Sequence, residues 1–167
     1  MRLVKRVTGV KKFGSSTVTA ITAYNDSSTD VNDDNTVIGW ASGANTYLLG
    51  AITGNQIPAS LGAPGFNDEV EYTIYYLGDG GIPAQNVNIC DFVPANQTYV
   101  PGTMQLDRGG TIGSIVDTPV SAGASGFYTA SFPAACTGTN NGQGAAYFQV
   151  GNINSSYGFI RFRAKVN

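Results

Sequence analysis

The closing segment of the chain constrains its fold more than any other stretch. Residues 157–167 read YGFIRFRAKVN, so Ile160, Phe162, Ala164 and Val166 alternate with Arg161, Arg163 and Lys165. A period of two puts successive side chains on opposite faces, the signature of an extended strand. Residues 67–77, NDEVEYTIYYL, repeat it, with Val70, Tyr72, Ile74 and Tyr76 set against Glu71, Thr73 and Tyr75. In residues 85–94, QNVNICDFVP, one face carries Val87, Ile89, Asp91 and Val93. The Gly-rich stretch GDGGIPA separates these two segments, so a hairpin with a long turn is expected between them. At the start, Leu3, Lys5 and Val7 share one face, and Val4 and Arg6 the other. Further strands are expected over 17–24, in TYVPGTMQL, and at 111–116, 127–132 and 144–151. Residues 37–57, with Trp40 and the run TYLLGAITG, leave helix and strand open.

Short strands spaced by turns predict an all-β fold, an antiparallel β-sandwich of Ig-like or Greek-key type. Residues 1–167 are read as a single domain with loop insertions at about 25–36 and 101–144. Both ends carry strand patterns, so both termini are expected inside sheets. Composition agrees with this class. Only 12% of residues are charged, about half the usual share, and polarity comes from Asn, Thr, Ser and Gly. Thr, Tyr, Phe and Val suit pleated surfaces, while Gly and Asn suit turns. The mix reads as an extracellular protein.

Charge is unevenly placed. Eight of nine basic residues lie at the ends: Arg2, Lys5, Arg6, Lys11, Lys12, Arg161, Arg163 and Lys165. Arg108 is the exception, and all eleven acids lie between Asp26 and Asp117. Two readings stand side by side. Basic edge strands discourage wrong pairing, or basic ends meet an acidic body, in the same subunit or the next. The net charge of −2 argues against a nucleic-acid partner. No segment is long and apolar enough to span a membrane. The opening MRLVKRVTGVKKF lacks the continuous apolar core of a signal peptide. An exported form would have lost its signal or carry it outside this chain.

Several constellations could carry chemistry. Cys90 and Cys136 are expected to form a disulfide, worth about 4 kcal/mol for a loop of this length; two buried free thiols are the alternative. Asp26, Asp30, Asn32, Asp33, Asp34 and Asn35 crowd one loop. Calcium, the one candidate cofactor, takes six to eight such oxygens; a solvated polar loop is the alternative. Glu69 and Glu71 are a carboxylate pair on one strand, read as a solvated edge rather than a glycosidase pair. Tyr24, Trp40, Tyr47, Tyr75, Tyr76, Tyr99, Tyr128, Tyr147 and Tyr157 are candidates for a sugar-binding face, with core packing as the alternative. Asn25, Asn96 and Asn154 stand in N-x-S/T sequons and mark surface loops. The chain has no histidine, which rules out Ser-His-Asp and Cys-His catalysis and leaves an enzyme the least favoured class.

Val70–Thr73, the glycines from Gly78 to Gly81, and Asn86–Pro94 followed by Val100 resemble the "conserved repeat" domain of bacterial secreted surface proteins. The opening, the Asp/Asn-rich loop, LLGAITG and the closing NSSYGFIRFRAKV are similar to a cyanobacterial group of that family. The resemblance implies a surface sandwich module and no particular chemistry. Related surface sandwiches join a Lys on the first strand to an Asn on the last beside a buried acid. On that basis Lys5, Asp91 and Asn167 are the candidates for a self-made amide crosslink. Burial would keep the lysine neutral and the acid protonated. A Lys5–Asp91 salt bridge, or a Lys5 that reaches outward, is the alternative. Asn167 shares parity with the basic face of its strand, so a bulge would be needed to bring it in.

The expected function is a structural subunit of an extracellular filament or cell-surface layer. Subunits would join by strand addition, with Leu3, Lys5 and Val7 as the exchanging residues and a second copy as partner. The alternative is a monomeric adhesin or carbohydrate-binding module with surface glycans as partners.

Overall fold

A computed structural model of the 167-residue chain describes residues 1–21, 62–78, 81–108, 112–114, 126–129, 136–138, 141–154 and 156–167. These residues form strands and no helix: β1 (Arg2–Lys11), β2 (Thr19–Ala20), β3 (Glu69–Leu77), β4 (Ala84–Phe92), β5 (Gln97–Tyr99), β6 (Gln105–Arg108), β7 (Ile112–Ser114), β8 (Gly126–Thr129), β9 (Ala145–Ile153) and β10 (Tyr157–Val166). The fold is all-β, as the two-residue period demanded, and every pairing is antiparallel.

The larger sheet runs β2-β1-β3-β10-β6-β7, with β5 pairing the far end of β10 beside β6. The smaller runs β4-β9-β8. β3 is central, with β1 on one side and β10 on the other, so both chain ends are built into one sheet around it.

The expected hairpin between residues 67–77 and 85–94 does not form. β3 lies in the larger sheet and β4 in the smaller, where it pairs β9. Both edges of β3 are already taken by β1 and β10. The Gly-rich segment therefore carries the chain across to the second sheet, and the apolar faces of β3 and β4 meet through the core. Ile74 and Tyr76 from β3 share one cluster with Val87 and Ile89 from β4, Phe148 and Val150 from β9, and Ile160 and Phe162 from β10. Phe162 packs against Tyr72 and Tyr99, with ring centroids 5.7 and 6.4 Å away. Aromatic pairs at this spacing add to the stabilisation from burial.

Residues 101–144, read as an insertion, contribute β6, β7 and β8 to the two sheets. TYVPGTMQL, read as a short strand or edge segment, is split by the turn at Pro101–Gly102 into β5 and β6. The stretch expected to be a strand over 17–24 is β2 at Thr19–Ala20, and its residues beyond 21 lie outside the described residues. The 25–36 loop and residues 37–57 also lie outside them.

One irregularity sets the placement of every functional side chain on β1. The β1–β3 register shifts between Val7 and Gly9. Such a bulge reverses the facing of the residues beyond it. Lys5 is opposite Ile74, on the core face, while Lys11 is opposite Glu69, on the other face. The second face of the larger sheet is also buried in the middle, where Thr73 and Tyr75 are inaccessible.

Candidate functional site

The outer edge of β1 is the first element of the site. In an antiparallel ladder, successive residues of a strand point their amides alternately to its two neighbours. The Gly78 N–H donates to the Ser156 carbonyl at 2.8 Å, continuing the β3–β10 ladder. Even-numbered residues of β3 therefore bond to β10, and odd-numbered ones to β1. Arg2 and Val4, opposite Leu77 and Tyr75, turn their amides toward β3. Leu3 and Lys5 turn theirs away from it. β2 pairs β1 only at Gly9 and Val10, so over Arg2–Lys5 no strand among the described residues covers that side. The side chain of Leu3 is 47% exposed. The strand-exchange candidates Leu3, Lys5 and Val7 thus belong to a strand that stays in its own sheet and presents its second edge.

Lys5 and Asp91, both expected to point inward, do meet. The Lys5 Nζ donates to Asp91 Oδ1 at 2.7 Å and lies 4.9 Å from the centre of the Tyr72 ring. This contact joins β1 to β4 and so links the two sheets. Asp91 is buried, and its Oδ2 has no hydrogen-bond partner among the described residues. Burial raises the Asp91 carboxyl above the ordinary value, outweighing the Lys5 charge and hydrogen bond and the Phe92 amide. Next to Asp91, Cys90 is bonded to Cys136, 46 residues away in sequence, and this fixes β4 from its other side.

Asn167 does not join this pair. Lys5 is level with Ile74 and Ile74 with Ile160, so Asn167 lies seven residues beyond that level, roughly 23 Å along the strand. Its exposed Oδ1 accepts a hydrogen bond from Thr98 Oγ1 at 2.8 Å. Strand register thus adds to the side-chain parity that already separates it from Lys5. The geometry of the described residues is an ion pair, not a Lys–Asp–Asn crosslinking centre.

The basic ends meet acids within the same subunit. Besides Lys5–Asp91, Lys11 pairs with Glu69 at 2.9 Å, Lys12 with Asp68 at 2.9 Å and Arg161 with Glu71 at 3.5 Å, and Arg163 also binds Glu69. Glu71 accepts from Thr8 Oγ1 at 2.8 Å, and Thr8 in turn contacts Thr73. Glu69 and Glu71 are therefore counter-ions in a ladder across β1, β3 and β10. They form neither a solvated edge nor a glycosidase pair. β10 lies inside the sheet, so its cations do not guard an edge.

Near residue 68 the ladder ends in a turn. The Gly65 and Phe13 amides donate to the Asp68 carboxylate at 2.8 Å each, and Lys12 adds its charge. Burial would raise this carboxyl, but the Gly65 amide, Lys12 and the Phe13 amide together hold it below the ordinary value. Beside the turn is a cavity of about 290 Å³, lined by Lys11, Lys12, Phe13, Asn67, Glu69 and Lys165 among others.

The remaining candidates fall differently. Asp26, Asp30, Asp33 and Asp34, the proposed calcium loop, lie outside the described residues. Tyr75, Tyr76, Tyr99 and Tyr147 are buried, so they pack the core and form no sugar-binding face. Tyr24, Trp40 and Tyr47 are outside the described residues, and Asn96 and Asn154 are exposed as the sequons suggested. Among the described residues the exposed aromatics are Phe13 at 75% and Phe66 at 72%. Sequence reasoning missed both, because neither belongs to an alternating run; their place beside Gly14 and Gly65 was the available signal. Comparison with family models, curated proteins and solved structures returns no match.

Proposed function

We propose that this chain is a structural module of an extracellular filament or surface layer, assembling when the outer edge of β1 pairs with a strand of a second copy. One observation carries the reading: Leu3 and Lys5 direct their amides and carbonyls away from β3, where no described strand meets them. Edge pairing of this kind takes its affinity from main-chain hydrogen bonds. The Cys90–Cys136 disulfide supports an oxidising compartment. The sequence resemblance to secreted surface domains points the same way.

The test is sedimentation velocity over a range of concentrations, on the wild type and on Leu3→Pro. Proline at residue 3 removes an outward N–H and leaves the β1–β3 bonds of Arg2 and Val4 in place. Concentration-dependent association is expected for the wild type, and a folded monomer for the variant. A wild type that stays monomeric at high concentration, or a variant that associates equally well, would overturn the proposal. A second reading, a carbohydrate-binding surface module, is favoured by the exposed rings of Phe13 and Phe66.

A further inference from the structure

We infer that the cavity between the β1–β2 turn and the end of β10 binds an acidic sugar unit, a ring bearing hydroxyls and a carboxylate. The inference rests on the second reading above, glycan binding, and narrows it to acidic glycans.

Charge comes first. Four cations gather here: Lys11, Lys12, Arg163 and Lys165. They share two carboxylates, Asp68 and Glu69. Glu69 is bound twice, by Lys11 and Arg163. Lys165 is in register with Glu69 yet makes no ion pair or side-chain hydrogen bond among the described residues. Two positive charges are thus left over locally in a chain whose net charge is −2. An ammonium on the wall of a cavity, with no counter-ion among the described residues, is a ready donor to an anion.

Shape and remaining chemistry select the kind of anion. At about 290 Å³ the cavity lies near the lower end of small-molecule sites and is larger than a bare oxyanion requires. Phe13 stands at its wall with most of its ring in solvent, a flat apolar surface that an inorganic ion would not use. A sugar ring can lie against such a surface by its C–H face. Glu69 and the Asn67 carboxamide offer an acceptor and a donor–acceptor pair for hydroxyls. Together these groups match a uronate better than a phosphate or a neutral hexose.

Isothermal titration of the intact protein with oligogalacturonate, with a neutral galactose oligomer and with inorganic phosphate tests this directly. The acidic oligomer is expected to bind, more weakly as salt rises. Lys165→Gln is expected to lower its affinity about tenfold, the loss of one charge-assisted hydrogen bond. Phe13→Ala is expected to lower it several-fold without changing the melting temperature. Equal binding of the neutral oligomer, unchanged affinity in Lys165→Gln, or phosphate binding as tight as the uronate would overturn the acidic-sugar assignment and leave glycan binding standing in the first two cases. Binding of neither oligomer would overturn the glycan reading as well.

Discussion

The two ends of the β1–β3–β10 ribbon use their lysines in opposite ways. At one end, Lys5 spans the sheets to a buried Asp91, one cation against one carboxylate, beside a disulfide and the core. At the other, four cations share two carboxylates around an open cavity. Both lysines at the ends of this contrast, Lys5 and Lys11, have odd numbers on one strand, and only the bulge between Val7 and Gly9 sends them to opposite faces. A balanced, half-buried pair holds structure together. A surplus of charge at an accessible wall is available for a ligand.

Breaking the Lys5 end should have the largest consequences. Replacing Cys90 and Cys136 together by alanine releases the 46-residue link beside Asp91 and should lower stability by about 4 kcal/mol, read by denaturant unfolding. Alkali should act at the same end. Tyr76, opposite Leu3, donates its hydroxyl to the Asp107 carbonyl at 2.6 Å, and burial pushes its pKa up to about 12. The folded chain then holds this proton more tightly than the unfolded one. Its contribution is complete below pH 10 and is lost as pH rises from about 10 to about 12, by about 3 kcal/mol. A stability profile that is flat across that window would contradict this. Gly158 serves the same bond: a Cβ there would run into the Asp107 oxygen and the Tyr76 hydroxyl.

Lys5→Met should cost about 1–2 kcal/mol at neutral pH, less than a fully buried pair because the lysine is partly solvated. The cost should shrink in acid, since the raised Asp91 carboxyl protonates early and no longer needs a cation. The opposite end should respond to acid in the opposite sense. Asp68, held below its ordinary value, stabilises the fold above pH 3.8, and that contribution is lost as pH falls through its lowered pKa. Hydrogen exchange at the Gly65 and Phe13 amides should accelerate only there, at a pH below that at which the Lys5 end has already changed. The smallest effect is Lys165→Gln, within about 0.5 kcal/mol of wild type by thermal unfolding, because the side chain makes no ion pair or hydrogen bond among the described residues.

Strand identity was legible because each strand's alternation is a local property. Ile160, Phe162 and Ala164 are buried as their period required, and Asp91 pointed inward because Val87, Ile89 and Val93 did. Pairing was less legible. Nothing local in GDGGIPA distinguishes a turn within one sheet from a crossing between two, and that choice depended on β1 and β10 occupying both edges of β3. The site was half legible for the same reason. Lys5 and Asp91 could be matched by face, but the level of Asn167 along β10 follows from long-range register. The cationic cavity was hidden because it depends on a bulge, whose one sequence marker is Gly9 inside the β1 pattern.

Amide hydrogen exchange at single-residue resolution along β1, measured at low and at high protein concentration, tests the edge most directly. Arg2 and Val4, bonded to β3, should be protected at both concentrations, while Leu3 and Lys5 should exchange freely when dilute and become protected only when concentrated. Protection of Leu3 and Lys5 in dilute solution, or free exchange of Val4, would contradict the account.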